Sequence, residues 1–292
     1  MLCSVKAIAG RGRGLVASQT IRCGSIALED TAFAAVLNHD ARDSHCSHCF
    51  APSTIATDDH HHFCSAECMD NAFTLHDRLL NKCDLVHLDN GQTNRYPRLI
   101  AKMTAAALLA GPNFNDYWAK VLALAAPNTH CAEQDEFNAL IRVFEPAIGK
   151  EATEKIFEGP LPLEWYSRMI GILHVNSIGM GKRDPHVTVA DLNSSSRLVT
   201  LQKKASENPN IGVGLFPTAS LLNHSCKPNV EMFRSSSKHS PTCVFVAVRH
   251  IEEGEELTIS YLPDAYKKSV HERKDYLEYN YGFKCDCPLC KH

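Results

Sequence analysis

Cysteine spacing constrains this 292-residue chain more than any other feature. Four of its thirteen cysteines fall as Cys46-x2-Cys49 and, fourteen residues on, Cys64-x3-Cys68. Three more close the sequence as Cys285-Asp286-Cys287-Pro288-Leu289-Cys290. A CxxC turn points two sulfurs at one tetrahedral ion, and Cys-x3-Cys on a first helical turn places two more one turn apart. The competing reading is buried reduced cysteine, which packs as a small hydrophobe. Two pairs within 23 residues favour metal. The second cluster holds three thiolates, and structural zinc wants four ligands. The best fourth is Cys226, in Asn223-His224-Ser225-Cys226-Lys227-Pro228-Asn229; a redox-sensitive terminal thiol patch is the alternative. His45, His48, His60, His61, His62 and His76 stand near the first cluster and read as solvated loop residues rather than ligands. Cys83 reads as packing. Two zinc ions are therefore expected, at Cys46/Cys49/Cys64/Cys68 and at Cys226/Cys285/Cys287/Cys290.

The compartment bears on that reading. The N-terminus MLCSVKAIAGRGRG lacks the apolar core of a secretory signal, and the longest apolar run, 105–110, is too short to span a bilayer. An intracellular location, nucleus or cytoplasm, is expected, without membrane association, and a reducing compartment disfavours disulfides. A composition 44% hydrophobic and 22% charged excludes a largely disordered or fibrous chain. Thirty basic against thirty-three acidic residues leave a net charge of -3, so phosphate-driven nucleic-acid binding is not expected. A weakly acidic surface tolerates a basic substrate.

Short strands are expected within residues 1–37, with a turn at 10–14 and strand-like runs at 15–17 and 25–28. Helical spacing appears at Leu99, Ile100, Met103, Ala107 and Leu108, and at Phe137, Leu140, Ile141 and Phe144. Pro112, Pro127, Pro146 and Pro160-Leu161-Pro162 punctuate these helices. Residues 179–210 are polar and read as an exposed insertion. Strands return at 211–216, 243–248 and 257–261, followed by a short helix at 271–279.

Several strings together resemble a known family. Arg11-Gly12-Arg13-Gly14-Leu15, IGVGLFPTASLLNHSCKPNV, EEGEELTISY and YGFKCDCPLC look like the SET-domain protein lysine methyltransferases, most closely the SET-and-MYND (SMYD) group. The resemblance implies an α+β chain: a β-rich SET fold split by a MYND-like zinc finger and a helical insert, with a zinc-binding post-SET tail. The implied boundaries are 1–44 and 176–262 for the two SET parts, 45–83 for the finger, 84–175 for the insert and 263–292 for the tail. Three departures stand out. The CxxC that opens a second MYND zinc site is missing between Cys49 and Cys64, and Leu80 stands where that site's last cysteine belongs. The 179–210 insertion is longer than the family connection. No long C-terminal helical domain follows the tail, so a more open substrate cleft is expected.

The resemblance also implies chemistry: methyl transfer from S-adenosylmethionine to a protein lysine, histone or non-histone. Tyr261 matches the catalytic tyrosine. Arg11, Arg13, Asn176, Ser220, Leu222, Asn223, His224, Tyr261 and Phe283 match the cofactor contacts, with Arg11 on the cofactor carboxylate and Phe283 stacked on adenine. Tyr281 matches an aromatic of the lysine channel. Read without the resemblance, each of these has an ordinary alternative: a half-buried strand-end tyrosine, a tight Gly-Arg turn, a loop-fixing asparagine, aromatics packed against a cysteine clip. The chain is expected to act as a monomer. The competing functional reading is a catalytically weak adaptor that recruits proteins through its finger.

Overall fold

The computed structural model describes residues 2–57, 61–80, 85–88, 95–126, 132–181, 210–234, 240–263 and 269–291. Expectations at His60, Cys83 and Pro127, and most of the 179–210 insertion, lie outside the described residues.

β-Branched and aromatic runs make the strands, as the pleated, buried surface of a sheet favours. β1 (Cys3–Ile8) and β2 (Gly12–Ala17) form an antiparallel hairpin that runs from Cys3 opposite Ala17 to Ile8 opposite Gly12. β3 (Ile26–Thr31) joins β10 (Val230–Arg234) and β11 (Thr242–Ala247) in an antiparallel sheet ordered β10-β11-β3. All six residues of the central strand, TCVFVA, are buried. A second antiparallel sheet is ordered β4-β8-β7, from β4 (Ala34–Leu37), β8 (Asn210–Leu215) and β7 (Ser177–Gly181). The segment expected to be an exposed insertion therefore begins inside a strand and ends inside another. Gly179–Gly181 belong to β7 and Asn210 opens β8.

Between these halves lie the finger and a helical body. The finger contains β5 (Ile55–Ala56), β6 (His62–Phe63) and α1 (Ala66–Ala72), which continues through one wider turn, Phe73–Asp77, into α2 (Arg78–Leu80). The helical body holds α3 (Tyr96–Leu109), α4 (Phe114–Leu122), α5 (Gln134–Ile148), α6 (Lys150–Phe157) and α7 (Leu163–Asn176). α3 is buried around most of its circumference, so it is the central helix. Its Leu99, Ile100 and Met103 pack with Leu140, Phe144, Met169 and Ile172, and with Val213 and Leu215 of β8. Pro146 does not end its helix as expected. It sits within the last turn of α5, which ends two residues later at Ile148 and is capped by Gly149. A final helix, α8 (Val270–Tyr281), starts from a Ser269–Glu272 capping box. No described helix is long and apolar enough to cross a membrane.

Candidate active site

The site is built where two distant segments run side by side. β9 (Asn223–His224) pairs in parallel with β12 (Thr258–Ile259). Asn229 completes the join. Its Oδ1 accepts from the Thr258 N–H at 2.8 Å and its Nδ2 donates to the Glu256 carbonyl at 2.8 Å. β2 then crosses the same loop, with Leu257 N–H donating to the Leu15 carbonyl and Ala17 N–H to the Glu255 carbonyl. The crossing requires a glycine. A Cβ at Gly14 would lie 2.8 Å from Asn223 Nδ2 and 2.7 Å from Ile8 Cγ1. Without one, Asn223 Nδ2 reaches both Glu256 Oε1 (2.8 Å) and the Arg13 carbonyl (3.2 Å).

Tyr261 leaves this join. The strand expected to run to Tyr261 stops at Ile259, because the Tyr261 N–H goes to His224 Nδ1 at 3.0 Å rather than to a ladder partner. The Tyr261 hydroxyl donates to the Leu222 carbonyl at 2.6 Å. The ring stands 4.8 Å from Tyr281, 5.4 Å from His224 and 6.4 Å from Phe283, centre to centre. Burial pushes the Tyr261 phenol well above its usual range, so it stays protonated at neutral pH. Burial, and then the Arg11 charge, push His224 down to about 4. Its Nδ1 is an acceptor, so the neutral ring carries its proton on Nε2, which faces Cys226 Sγ at 3.3 Å.

Two pockets meet at Tyr261. The smaller, about 390 Å³, is lined by Gly10, Arg11, Asn223, His224, Phe283 and Asp286. The larger, about 580 Å³, is lined by Asn176, Ser220, Leu222, Met232 and Tyr281 among others. Tyr261 lines both. In the smaller pocket Arg11 donates to Asp286 and to the His224 carbonyl (3.3 Å), with the Glu256 carboxylate 3.7 Å away. The two arginines of the first turn therefore part company. Arg13 donates to the Ala123 carbonyl of the helical body and contributes only its own carbonyl beside Asn223. Asn176 donates to the carbonyls of Ala125 and Ile172 and belongs to the larger pocket.

The eight expected ligands assemble into two sets, Cys46/Cys49/Cys64/Cys68 and Cys226/Cys285/Cys287/Cys290. Within each set the sulfurs all lie within 4.8 Å of one another. Cys49 and Cys64 sulfurs are 3.4 Å apart, Cys64 and Cys68 3.5 Å, Cys226 and Cys290 3.5 Å. Ser65 caps α1 by accepting from the Cys68 N–H, which places the positive end of that helix at the first set. Burial, and then the Cys46 charge, push the Cys68 thiol up to about 12, a conflict that a divalent cation among four thiolates removes. All-sulfur donors, burial of three of the four cysteines in each set and this separation fit structural zinc. No histidine joins either set among the described residues. His76 Nδ1 pairs with Asp77 at 2.6 Å, and His45 with the Ser44 hydroxyl.

A sequence model of the SET domain matches residues 12–262. The chain belongs to the SET-domain family. Human N-lysine methyltransferase SMYD2 is 26% identical over 287 residues, covering 96% of this chain and 58% of that protein. Mouse histone-lysine N-methyltransferase SMYD3 is 46% identical over 86 residues, 30% of this chain and 19% of that protein. Arabidopsis thaliana histone-lysine N-methyltransferase ASHR2 is 25% identical over 309 aligned positions, 99% of this chain and 72% of that protein. The chain spans less than two thirds of the length of most of the curated relatives it matches.

This SET chain also uses residues that the sequence did not single out. Glu256 meets both Asn223 and Arg11. Asp286 sits between two cysteines and reaches Arg11 across the mouth of the smaller pocket. Asn229 stitches the two site segments together. A signal existed for Asn229, which closes the quoted NHSCKPN string. Glu256 was one of a run of acidic residues with nothing to separate it from its neighbours.

Proposed function

We propose that this chain is a protein-lysine N-methyltransferase that uses S-adenosylmethionine. One observation carries the reading: Tyr261, its hydroxyl fixed by a main-chain carbonyl, is the side chain that both pockets share. Displacement at a methyl group needs donor and acceptor held in line from opposite sides, and two pockets that meet at one ordered group supply that arrangement. The smaller pocket suits the cofactor. Its volume is that of a small-ligand site, Phe283 offers a ring for adenine and Arg11 a cation for the carboxylate, while Glu256, outside the lining, holds Asn223 and Arg11 in place. When bound, S-adenosylmethionine supplies a methyl group on a sulfonium.

The chain's own residues then do three things. Leu222, Met232 and Tyr281 give the larger pocket an apolar side beside its polar lining, and an amine held against that side and near the cofactor's positive sulfonium is disfavoured as ammonium, which lowers the substrate lysine from its ordinary value of about 10.4. Tyr261, protonated and anchored, orients the neutral amine and accepts weak C–H contacts from the methyl group. Tyr281 packs on Tyr261 at 4.8 Å and narrows the passage between the pockets.

In this reading residues 45–83 are a MYND-like finger with one zinc, 84–175 the insert between the SET parts 1–44 and 176–262, and 263–292 a post-SET tail with the second zinc. The substrate is a lysine of a histone or another protein. The test is transfer of radiolabelled methyl groups to histones and peptide arrays by the zinc-loaded chain. Label that appears on lysine and disappears in Tyr261→Phe supports the reading. No transfer from a chain that binds S-adenosylmethionine overturns it in favour of an adaptor.

A further inference from the structure

Four thiolates around one divalent zinc leave two negative charges uncompensated. At the second cluster this charge is held in a largely apolar setting, with Cys285, Cys287 and Cys290 buried among Leu262 and Leu277. Buried charge is tolerated only when paired and hydrogen-bonded. Part of the compensation is local: the Cys287 N–H faces Cys285 Sγ at 3.5 Å and His224 faces Cys226 Sγ. Neither group is a fixed cation. Arg273 is one. It is buried, its Nη2 donates to the Leu289 carbonyl at 2.9 Å next to the ligand Cys290, and the sulfurs of Cys290 and Cys226 are its electrostatic neighbours.

Its position on the chain matters as much as its charge. Arg273 is the fourth residue of α8, directly after the Ser269–Glu272 capping box. The other end of the helix stops at Gly282, whose φ of 73° is left-handed and turns the chain toward Phe283 and the ligand Cys285. α8 is thus tied to the loop of the second metal set at its start by the Arg273–Leu289 bond and just past its end by the ligand Cys285. Tyr281 and Phe283, which line the two pockets, stand at that far end.

We propose that Arg273 is an outer-sphere partner of the second metal site, and that its charge and N–H groups neutralise the cluster and pin the start of α8, so that metal occupancy sets where Tyr281 and Phe283 stand. Arg273 is a positioning residue, since it touches neither pocket. The choice of arginine follows from its shape: a planar fork can hold the Leu289 carbonyl with one nitrogen and keep N–H groups and charge toward the sulfurs, which a single ammonium does less well. Only the use made of Tyr281 and Phe283 rests on the methyltransferase reading; the metal link does not.

The test follows zinc release from the zinc-loaded full chain to a coloured chelator. Two phases are expected, and the one missing in Cys287→Ser belongs to the second cluster. Arg273→Met keeps the apolar stem and removes the charge. It is expected to speed the second-cluster phase roughly tenfold, as loss of outer-sphere partners does, and to leave the first-cluster phase unchanged. Arg273→Lys, which keeps the charge without the fork, should give a smaller acceleration. Hydrogen exchange over residues 276–283 should rise in the same order. Wild-type release in Arg273→Met, or equal acceleration of both phases, overturns the proposal. Faster release with unchanged exchange at 276–283 overturns its coupling half. Should Arg273→Met fail to fold, wild-type second-phase release in Arg273→Lys overturns it alone. Loss of methyl transfer as an activity of the wild-type chain would sink the function proposed above and leave every one of these readouts intact.

Discussion

Tyr261 is held by two different bonds, and they separate its structural part from its chemical one. The backbone N–H belongs to His224 and the hydroxyl to the Leu222 carbonyl. Replacement by phenylalanine removes only the second. The ring keeps its contacts with Tyr281, His224 and Phe283, so the fold should lose about 1 kcal/mol, the ordinary worth of one hydrogen bond. The amine, by contrast, loses the group that orients it. Tyr261→Phe is therefore expected to bind S-adenosylmethionine within about twofold of wild type while kcat falls roughly a hundredfold or more, as when one preorganised site group is removed. Calorimetry and single-turnover kinetics check the two halves. Wild-type turnover would remove Tyr261 from the chemistry. The phenol itself should not appear in the pH profile below about pH 10, because burial raises it above its ordinary value.

The finger meets the helical body and the β10 sheet through buried basic side chains. Lys102 of α3 donates to the Ser47 carbonyl at 3.3 Å and Arg234 of β10 to the Cys49 carbonyl at 2.7 Å, so two cations grip the turn that carries the first metal ligands. Burial alone would raise the Asp77 carboxyl. The His76 hydrogen bond, the His76 charge and Lys102 outweigh it and hold Asp77 well below the usual range. Asp77→Asn is then expected to cost about 2 kcal/mol by urea unfolding, because it weakens the buried bond to His76 and removes the negative charge that acts on Lys102. Asp77→Asn combined with Lys102→Met should recover a large part of that cost in a double-mutant cycle. Simple additivity of the two substitutions would show that the pair does not interact. None of this was legible in the sequence, where Lys102 is one charge on an apolar helix. What was legible were contiguous patterns. Ile211–Phe216 and Cys243–Val248 announced β8 and β11, the cysteine spacings announced both metal sets, and the NHSC and GFKCDC strings announced Asn223, His224, Cys226 and Phe283. β7 escaped because Ser-Ile-Gly-Met-Gly has no clear alternation, and its place is set by pairing with β8. Glu256, Asp286 and Arg273 escaped for a related reason: each acts on a segment far away in sequence, and nothing local marks it.

At the scale of the whole molecule, burial of phenols and sequestration of metal each give a global readout. Tyr117, Tyr166 and Tyr261 are raised chiefly by burial, and Tyr281 is pushed up to about 12 by burial and then by Tyr276 and Tyr96. Above about pH 10 the unfolded chain releases these protons and the folded chain keeps them. The unfolded state then binds fewer protons, so stability is full below pH 10 and falls as pH rises toward 12. Urea midpoints that stay flat across that window would show that the tyrosines are hydrated in solution. Metal analysis should give two zinc ions per chain, and one or none would reject the two-cluster reading. The second ion is also expected to govern the smaller pocket, although it touches no ligand there. Cys287 is buried and lines neither pocket, yet Cys226, Cys285 and Cys290 do not complete a tetrahedral site without it. Cys226 belongs to the loop that carries Asn223 and His224, and Cys285, Asp286 and Phe283 line the smaller pocket directly. Loss of the metal therefore frees one wall of that pocket from the other. The two large cores, one around α3 and one around β11, contain none of these residues and should survive. Cys287→Ser is expected to keep near-normal far-ultraviolet circular dichroism, to bind S-adenosylmethionine more weakly by calorimetry, and to become sensitive to proteolysis near residue 283. Unchanged affinity in a variant proven to have lost its second zinc would separate the tail from the pocket and refute the coupling.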